Sequence, residues 1–309
     1  MTLMQHSKKI LVTGGSGMIG HRLTTLLMQR GYEVFHLLRS KKIGSYIKTF
    51  IWDPKKKVIE KNALLDADVI IHLAGAGVAE KRWSESHKRE ILQSRTQSTR
   101  LLHETLQREK HHVSTFISAS GISFYGLGDP SGDAFIESDA PATDFMAQVT
   151  LAWEAQTEKM NELGIRTVKI RTGVVLSRRG GALEKLAQPV KLFLGAPLGS
   201  GNQYVNWIHL DDLCAIYIKA IEDQAIRGVY NGVAPNPVTN KELTKQIARA
   251  LKKPLWLPNV PGLVVKLIAG EVAMVVLKGG KVSSEKIRNA GFDFKFKTVQ
   301  HALQDLLRV

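Results

Sequence analysis

The chain has 309 residues, 44% apolar and 23% charged, the balance of an ordinary globular protein built as one large α/β unit or two lobes. That composition excludes a disordered chain, a collagen-like chain and a disulfide scaffold. The formal net charge is +15, and the single cysteine, Cys214, excludes an intrachain disulfide and a cysteine-built zinc site.

Through the first half, short β-rich runs alternate with helical patterns. Strands are predicted at 9–13, 32–38, 48–52, 68–74, 114–118 and 166–171, with helices at 19–29, 84–108 and 143–163 between them. Alternation of this kind implies right-handed βαβ crossovers. The predicted fold class is therefore α/β, a Rossmann-type doubly wound parallel sheet. The second half is less regular. A helix is predicted at 180–193, then a Gly/Pro-rich passage at 195–201, a strand at 205–209 and a capped helix at 211–222. A strand at 229–231 and a helix at 240–251, with Asn240 as its N-cap, follow. The expected division is a dinucleotide-binding domain of 1–177 plus 204–232. A smaller, discontinuous C-terminal substrate lobe takes 178–203 plus 233–309. No internal repeat or low-complexity segment interrupts this pattern.

The charge is uneven. Eight basic and two acidic residues lie between Arg39 and Lys61, and thirteen basic against five acidic between Lys241 and Arg308. The sign reverses from Asp129 to Glu162, where eight carboxylates face Lys159 alone. No zinc-finger spacing or RNA-binding aromatic motif accompanies the basic stretches, so nucleic acid is not expected as a partner. The most apolar stretch, from Leu255 to Leu277, contains Pro258, Pro261, Lys266 and Glu271, which speaks against a spanning helix. The apolar run after Lys9 is too short for a signal peptide. A reducing, cytoplasmic location with no membrane partner is expected, in a monomer or homodimer.

The sharpest motif is Gly14-Gly15-Ser16-Gly17-Met18-Ile19-Gly20, set between a predicted strand and a predicted helix. Gly14 permits a tight turn, Gly17 lets backbone approach a pyrophosphate, and Gly20 lets the helix pack on the sheet. The N–H groups of Met18 and Ile19 then open the helix toward an anion. An NAD site usually carries a carboxylate after the second strand. Here the sequence is Leu38-Arg39-Ser40-Lys41-Lys42. Arg39 and Ser40 suit a 2′-phosphate, so NADP(H) is favoured over NAD(H) as cofactor.

With the glycine loop stand Ile71-His-Leu-Ala-Gly75-Ala76, Ile117-Ser-Ala-Ser120, Tyr125-Gly126 and Trp207-Ile-His-Leu-Asp211-Asp212. In this order they resemble the extended short-chain dehydrogenase/reductases, the NAD(P)-dependent epimerase/dehydratase family. Arg82-Trp83, Ser94-Arg95, Trp153-Glu154, Arg171 to Leu176, Gly199-Ser-Gly201, Asn231 to Pro235 and Gly291-Phe292 sharpen the likeness to an atypical branch. That branch carries a small C-terminal domain of unknown function, and its members are called epimerase-family proteins or cell-division inhibitors. The likeness spans about residues 9–307. It implies cofactor contacts at Leu73, Ala74 and Gly75, at Glu90 and Arg95 on the following helix, and at Val174 after the sixth strand. On the residues alone, Arg95 pairs either with Glu90 or with a phosphate. Asp53 either reaches adenine or serves its own turn.

The superfamily's usual chemistry needs Tyr with Lys four residues later. The six tyrosines are followed at that spacing by His36, Phe50, Asp129, Ile208, Ile221 and Ala234, and the equivalent helix positions hold Val149 and Trp153. The remaining candidates are Ser120, with Ser118 behind it, and Glu154 as a general base. Tyr125, His209 and Cys214 read as packing or structural groups, and no metal site is expected. The leading expectation is an NADP(H)-dependent oxidoreductase or epimerase-like enzyme acting on an unknown small molecule. The alternative is a non-catalytic NADP(H)-binding or redox-sensing protein.

Overall fold

The computed structural model describes residues 8–40, 46–126, 128–129 and 131–307, so the predicted Lys41 and Lys42 lie outside the described residues. β1 (Lys9–Thr13) passes through a glycine turn into α1 (Met18–Gln29). β2 (Glu33–Leu38), β3 (Thr49–Asp53), β4 (Val58–Ile59), α2 (Asn62–Leu65) and β5 (Val69–His72) follow. α3 (Glu85–Arg108) returns the chain to β6 (Thr115–Gly121), and α4 (Phe145–Glu158) returns it to β7 (Arg166–Thr172). Next come β8 (Val174–Leu176), α5 (Ala182–Lys191), β9 (Tyr204–Val205), β10 (Trp207–His209) and α6 (Leu210–Glu222). β11 (Gly228–Gly232), β12 (Val238–Thr239) and α7 (Asn240–Ala250) lead to the last helices, α8 (Gly262–Ala269), α9 (Ala273–Leu277), α10 (Glu285–Asn289) and α11 (Val299–Leu306).

The main sheet has eight strands in the order β11-β7-β6-β5-β1-β2-β3-β4, parallel except for the β3–β4 pair. Its central strands are apolar on both faces because helices cover both. On β1, Ile10 and Val12 join α1 and α6 residues such as Leu23 and Leu213, while Leu11 joins α3 residues such as Leu102 on the other side. Removing one such side chain to Ala costs about 2–5 kcal/mol. The chain proceeds outward from β1 to β3, then reverses through β5. The switch point therefore lies between the C-terminal ends of β1 and β5, where open α/β sheets bind ligands.

Several elements differ from the sequence expectation. β6 runs on to Gly121, pairing Ser120 with Arg171 and Gly121 with Thr172. Ser120 is accepted there because its hydroxyl donates to Glu154 of α4, and Ser118 because its hydroxyl donates to the Ala119 carbonyl. The predicted strand 205–209 breaks at Asn206, and β10 pairs with β8 rather than with the main sheet. Asn206 diverts the chain: its carbonyl accepts from Val174 N, and its side chain bonds the backbone of Gly280 and Val282. The N-cap of α7 is Thr239, whose hydroxyl accepts from Glu242 N, not Asn240. Asn240 instead accepts from Leu198 N at 2.8 Å, fixing the glycine-rich passage to the helix. α4 starts after Asp144, which caps Met146 and Ala147, and tightens into a 3₁₀ turn at 159–163. A separate cluster joins α5, α7 and α11 around Leu183, Leu243 and Leu303, with Trp207 against it.

Candidate functional site

The glycine loop lies at the switch point. Gly14 has φ +69°, and a Cβ there would stand 2.9 Å from the Leu73 carbonyl carbon. A Cβ on Gly20 would stand 2.4 Å from the Gly14 carbonyl oxygen. Both positions thus need glycine for packing. Gly17 differs: its backbone is extended, and a Cβ would meet only the Gly14 carbonyl oxygen, at 3.3 Å. The free space beside Gly17 is therefore open to a ligand. Gly17 caps α1 without a side-chain bond, and no acidic residue occupies the first turn. The first N–H groups of α1, from Met18, Ile19 and Gly20, have no intrahelical acceptor and favour an anion.

A buried polar post holds the other lip of the crevice. Leu73 N and Ala74 N both donate to Thr13 Oγ1, at 3.1 and 3.2 Å. The Thr13 hydroxyl proton is then directed to His72 Nδ1, 2.7 Å away. Ser98 Oγ donates to main-chain carbonyls of α3, so it accepts from His72 Nε2 at 3.1 Å. This arrangement assigns a neutral imidazole with its proton on Nε2. Burial, together with the Arg95 charge, lowers the His72 pKa to about 3.

Arg95 lies against Gly75, whose Cβ would stand 3.2 Å from the guanidinium carbon. Its Nη1 donates to Ile91 O at 3.0 Å, and the guanidinium sits 5.2 Å from the Trp153 ring. Burial lowers its pKa to about 10, with no carboxylate opposing the shift. Of the two sequence alternatives, the ion pair with Glu90 does not form. Glu90 accepts from His87 Nδ1 at 3.3 Å instead. A cation beside a glycine crevice without a carboxylate suits a phosphate.

The other residues expected at the cofactor either end or follow strands of the main sheet. Arg39 and Ser40 are exposed just beyond β2. Asp53 accepts from Lys55 N and Lys56 N at 2.9 and 3.2 Å, so its side chain is engaged in its own turn. Val174 N donates to Asn206 O at 2.8 Å. A ligand at Val174 must therefore meet something other than this N–H.

Ser120 and Glu154, 34 residues apart, meet in a 2.5 Å hydrogen bond from Ser120 Oγ to Glu154 Oε1. Arg171 grips the same carboxylate, with Nε 2.8 Å from Oε1 and Nη2 2.9 Å from Oε2. Its Nη1 donates to the Tyr125 hydroxyl at 2.9 Å, which donates to Asn231 Oδ1 at 2.8 Å. Asn231 Nδ2 reaches Ser283 O in the C-terminal part of the chain. Phe124 stacks on the guanidinium at 3.3 Å. All five polar residues, Ser120, Glu154, Arg171, Tyr125 and Asn231, are buried. Burial raises the Tyr125 phenol above its ordinary value, so it stays protonated. Hydrogen bonding to Glu154 keeps Arg171 above the usual arginine value despite its burial.

Sequence reasoning missed Arg171, Tyr125 and Asn231 as members of this network. A signal was present. Glu154 and Glu158 stand four apart on one helix face, and Lys169 and Arg171 stand two apart on one strand face. The strand and helix meet as two ion pairs, Arg171 with Glu154 and Lys169 with Glu158. Val149 and Trp153, at the positions of the usual catalytic pair, are buried, and the Trp153 indole N–H has no hydrogen-bond partner. His209 and Cys214 are structural: His209 Nδ1 caps α6 and its ring stacks on Phe296, while Cys214 is buried and its thiol pKa pushed up by burial. Among the described residues, no group of His, Cys, Asp and Glu is arranged to hold a metal ion. No helix there is long and apolar enough to cross a membrane.

The family model described as NAD dependent epimerase/dehydratase family matches residues 10–231. The chain belongs to this family. A second model, a domain of unknown function (DUF1731), matches residues 260–306. Epimerase family protein SDR39U1 of Mus musculus is 35% identical over 304 residues, 97% of this chain and 99% of its own. Epimerase family protein YfhF of Bacillus subtilis is 33% identical over 300 residues, 96% of this chain and 97% of its own. The crystal structure of human SDR39U1 (isoform 2) with NADPH superimposes with a TM-score of 0.85 at 31% identity, covering 97% of this chain and 99% of that one. The resemblance found in the motifs and the Rossmann-type sheet are thereby established. The site also departs from ordinary members of the superfamily, since no Tyr–Lys pair exists in the chain.

Proposed function

We propose that this chain is an NADP(H)-binding, atypical short-chain dehydrogenase/reductase acting on an unidentified small molecule. The observation that carries the reading is the glycine crevice at the switch point, open beside Gly17 and flanked by Arg95, a cation without a carboxylate partner. The residues present fit a dinucleotide. The first N–H groups of α1 hold the pyrophosphate, and Arg39 and Ser40 hold the 2′-phosphate. The NADPH-bound state of human SDR39U1 supports that choice. Gly14, Gly20, Leu73, Ala74 and Gly75 shape the cradle, with Glu90 and Val174 along its edge. Residues 1–177 plus 204–232 form the cofactor-binding part, and 178–203 plus 233–309 the substrate lobe. The single cysteine, which leaves the chain no disulfide of its own, supports a reducing setting.

When bound, the dinucleotide supplies or accepts a hydride. The chain's own contribution is proton handling. Ser120 Oγ faces Glu154 Oε1 at 2.5 Å, a distance suited to passing a proton from a substrate hydroxyl through the serine to the carboxylate. Arg171 holds that carboxylate in place. The same ion pair favours a second reading, binding without turnover, because both Glu154 oxygens already have partners.

Fluorescence titration separates the cofactors. A charge-assisted contact to the 2′-phosphate is worth about 1.5–3 kcal/mol, so Arg39→Ala weakens NADPH roughly tenfold to a hundredfold and leaves NADH unchanged. Equal affinity for NADPH and NADH in the unmutated protein refutes the assignment. Hydride transfer measured against a broad panel of carbonyl compounds and nucleotide sugars then decides between enzyme and binding protein.

A further inference from the structure

Among the described residues, ten of the fifteen exposed large apolar side chains fall in two short stretches, 192–194 and 256–276. The first is the turn after α5, with Leu192, Phe193 and Leu194. The second begins at Trp256 and continues over α8 and α9. The two run side by side. Lys253 Nζ sits 4.1 Å from the Phe193 ring, a Cβ on Gly195 would stand 2.9 Å from Leu255 Cδ2, and Leu198 bridges Val260. Around α8, Val265 points inward and is buried, whereas Leu263, Leu267 and Ile268 point outward and are 68–70% exposed.

This face is held firmly from behind. Arg82 Nη2 donates to Leu267 O at 2.6 Å and to Ile268 O at 2.9 Å, tying the end of α8 to the loop before α3. Lys88 pairs with Glu271 at 2.8 Å. That contact also neutralises the one carboxylate in the region: residues 191–201 and 252–281 together hold six lysines and one glutamate.

We propose that this face docks the protein on an anionic lipid surface. Its charge decides the occupant. A second copy would bring the same unneutralised lysines against themselves, whereas anionic headgroups complement them. Its shape agrees. Side chains exposed by about two thirds protrude from the protein, as an interfacial helix needs in order to enter the headgroup boundary, rather than lining a groove that fits a peptide. The aromatic pair of Phe193 and Trp256 beside lysines suits the membrane–water interface. Contact at the surface needs no spanning helix, so the absence of one among the described residues is compatible with it.

The experiment is vesicle co-sedimentation with the full chain. Vesicles of phosphatidylcholine alone are compared with vesicles containing about 30% phosphatidylglycerol, at low and at high salt. The expected result is binding to the anionic vesicles only, weakened by salt. Leu267→Asp with Ile268→Asp should reduce partitioning roughly tenfold or more, with the thermal melt unchanged because both side chains are already in solvent. Trp256→Ser provides an independent variant should the double change misfold, and it too should lower partitioning. Several outcomes overturn the proposal: equal binding to neutral vesicles, or partitioning unchanged in both variants. So does an absence of binding to the anionic vesicles, and a dimer that Leu267→Asp dissociates would then assign the face to a second copy.

Discussion

Acid should loosen the crevice through His72. The imidazole is fully enclosed, accepts from Thr13 and donates to Ser98, and so has no place for a second proton. The unfolded chain takes up that proton near 6.5, the folded chain only near about 3. Because the folded value is depressed, the unfolded state binds the proton first. Stability is fully present above about 6.5 and falls as the pH drops toward about 3. Integrated from about 6.5, where the unfolded histidine is half protonated, down to about 4.5, the loss through this residue alone is about 2 kcal/mol. Urea unfolding followed by circular dichroism at both pH values reads the loss. His72→Gln removes the titration, so the variant should lose about 2 kcal/mol less than the parent over the same interval. Other acid-sensitive groups contribute equally to both proteins and cancel. Identical pH dependence in parent and variant refutes the argument.

The Gly17 position has ordinary extended backbone and one close neighbour, the Gly14 carbonyl oxygen at 3.3 Å, so Gly17→Val should leave far-UV circular dichroism largely native while abolishing NADPH binding. Retained affinity would show that the pyrophosphate lies elsewhere. Glu154→Gln places an amide N–H against an arginine donor and breaks a buried ion pair. It should cost about 3–5 kcal/mol, read by chemical denaturation, and a cost below about 1 kcal/mol contradicts the pairing. Ser120→Ala keeps that pair and should cost only about 1 kcal/mol in stability. If Ser120 relays the proton, the same change lowers turnover of any competent substrate by roughly 10²–10⁴-fold, and full activity would leave Ser120 a structural residue.

The strand–helix alternation and the glycine motif were legible because they depend on local periodicity and on backbone freedom within a few residues. Every strand predicted in the first half exists, with boundaries within about three residues, an error expected where pairing partners set the ends. The strand predicted at 205–209 splits into β9 and β10, each in a two-stranded sheet of its own, because Asn206 between them is held by residues about 75 positions away. The cap of α7 was misplaced by one residue because Thr239 and Asn240 are both good caps. The choice between them depends on Leu198, which takes the Asn240 side chain.

By itself, the sequence determined the sheet, the crevice, the family and the loss of the Tyr–Lys pair, all properties of residue type at fixed spacing. Only the tertiary structure decided what the polar residues do. Glu154 could be read as a free base or as an ion-pair partner until Arg171, on a strand 17 residues later, was seen to take both of its oxygens. Arg95 could be read as the partner of Glu90 until His87 was seen to take that carboxylate. In each case the partners come from different turns or elements, and burial gives each charge only the neighbours that packing supplies. A side chain's role then depends on distances of a few ångströms that no spacing along the chain encodes.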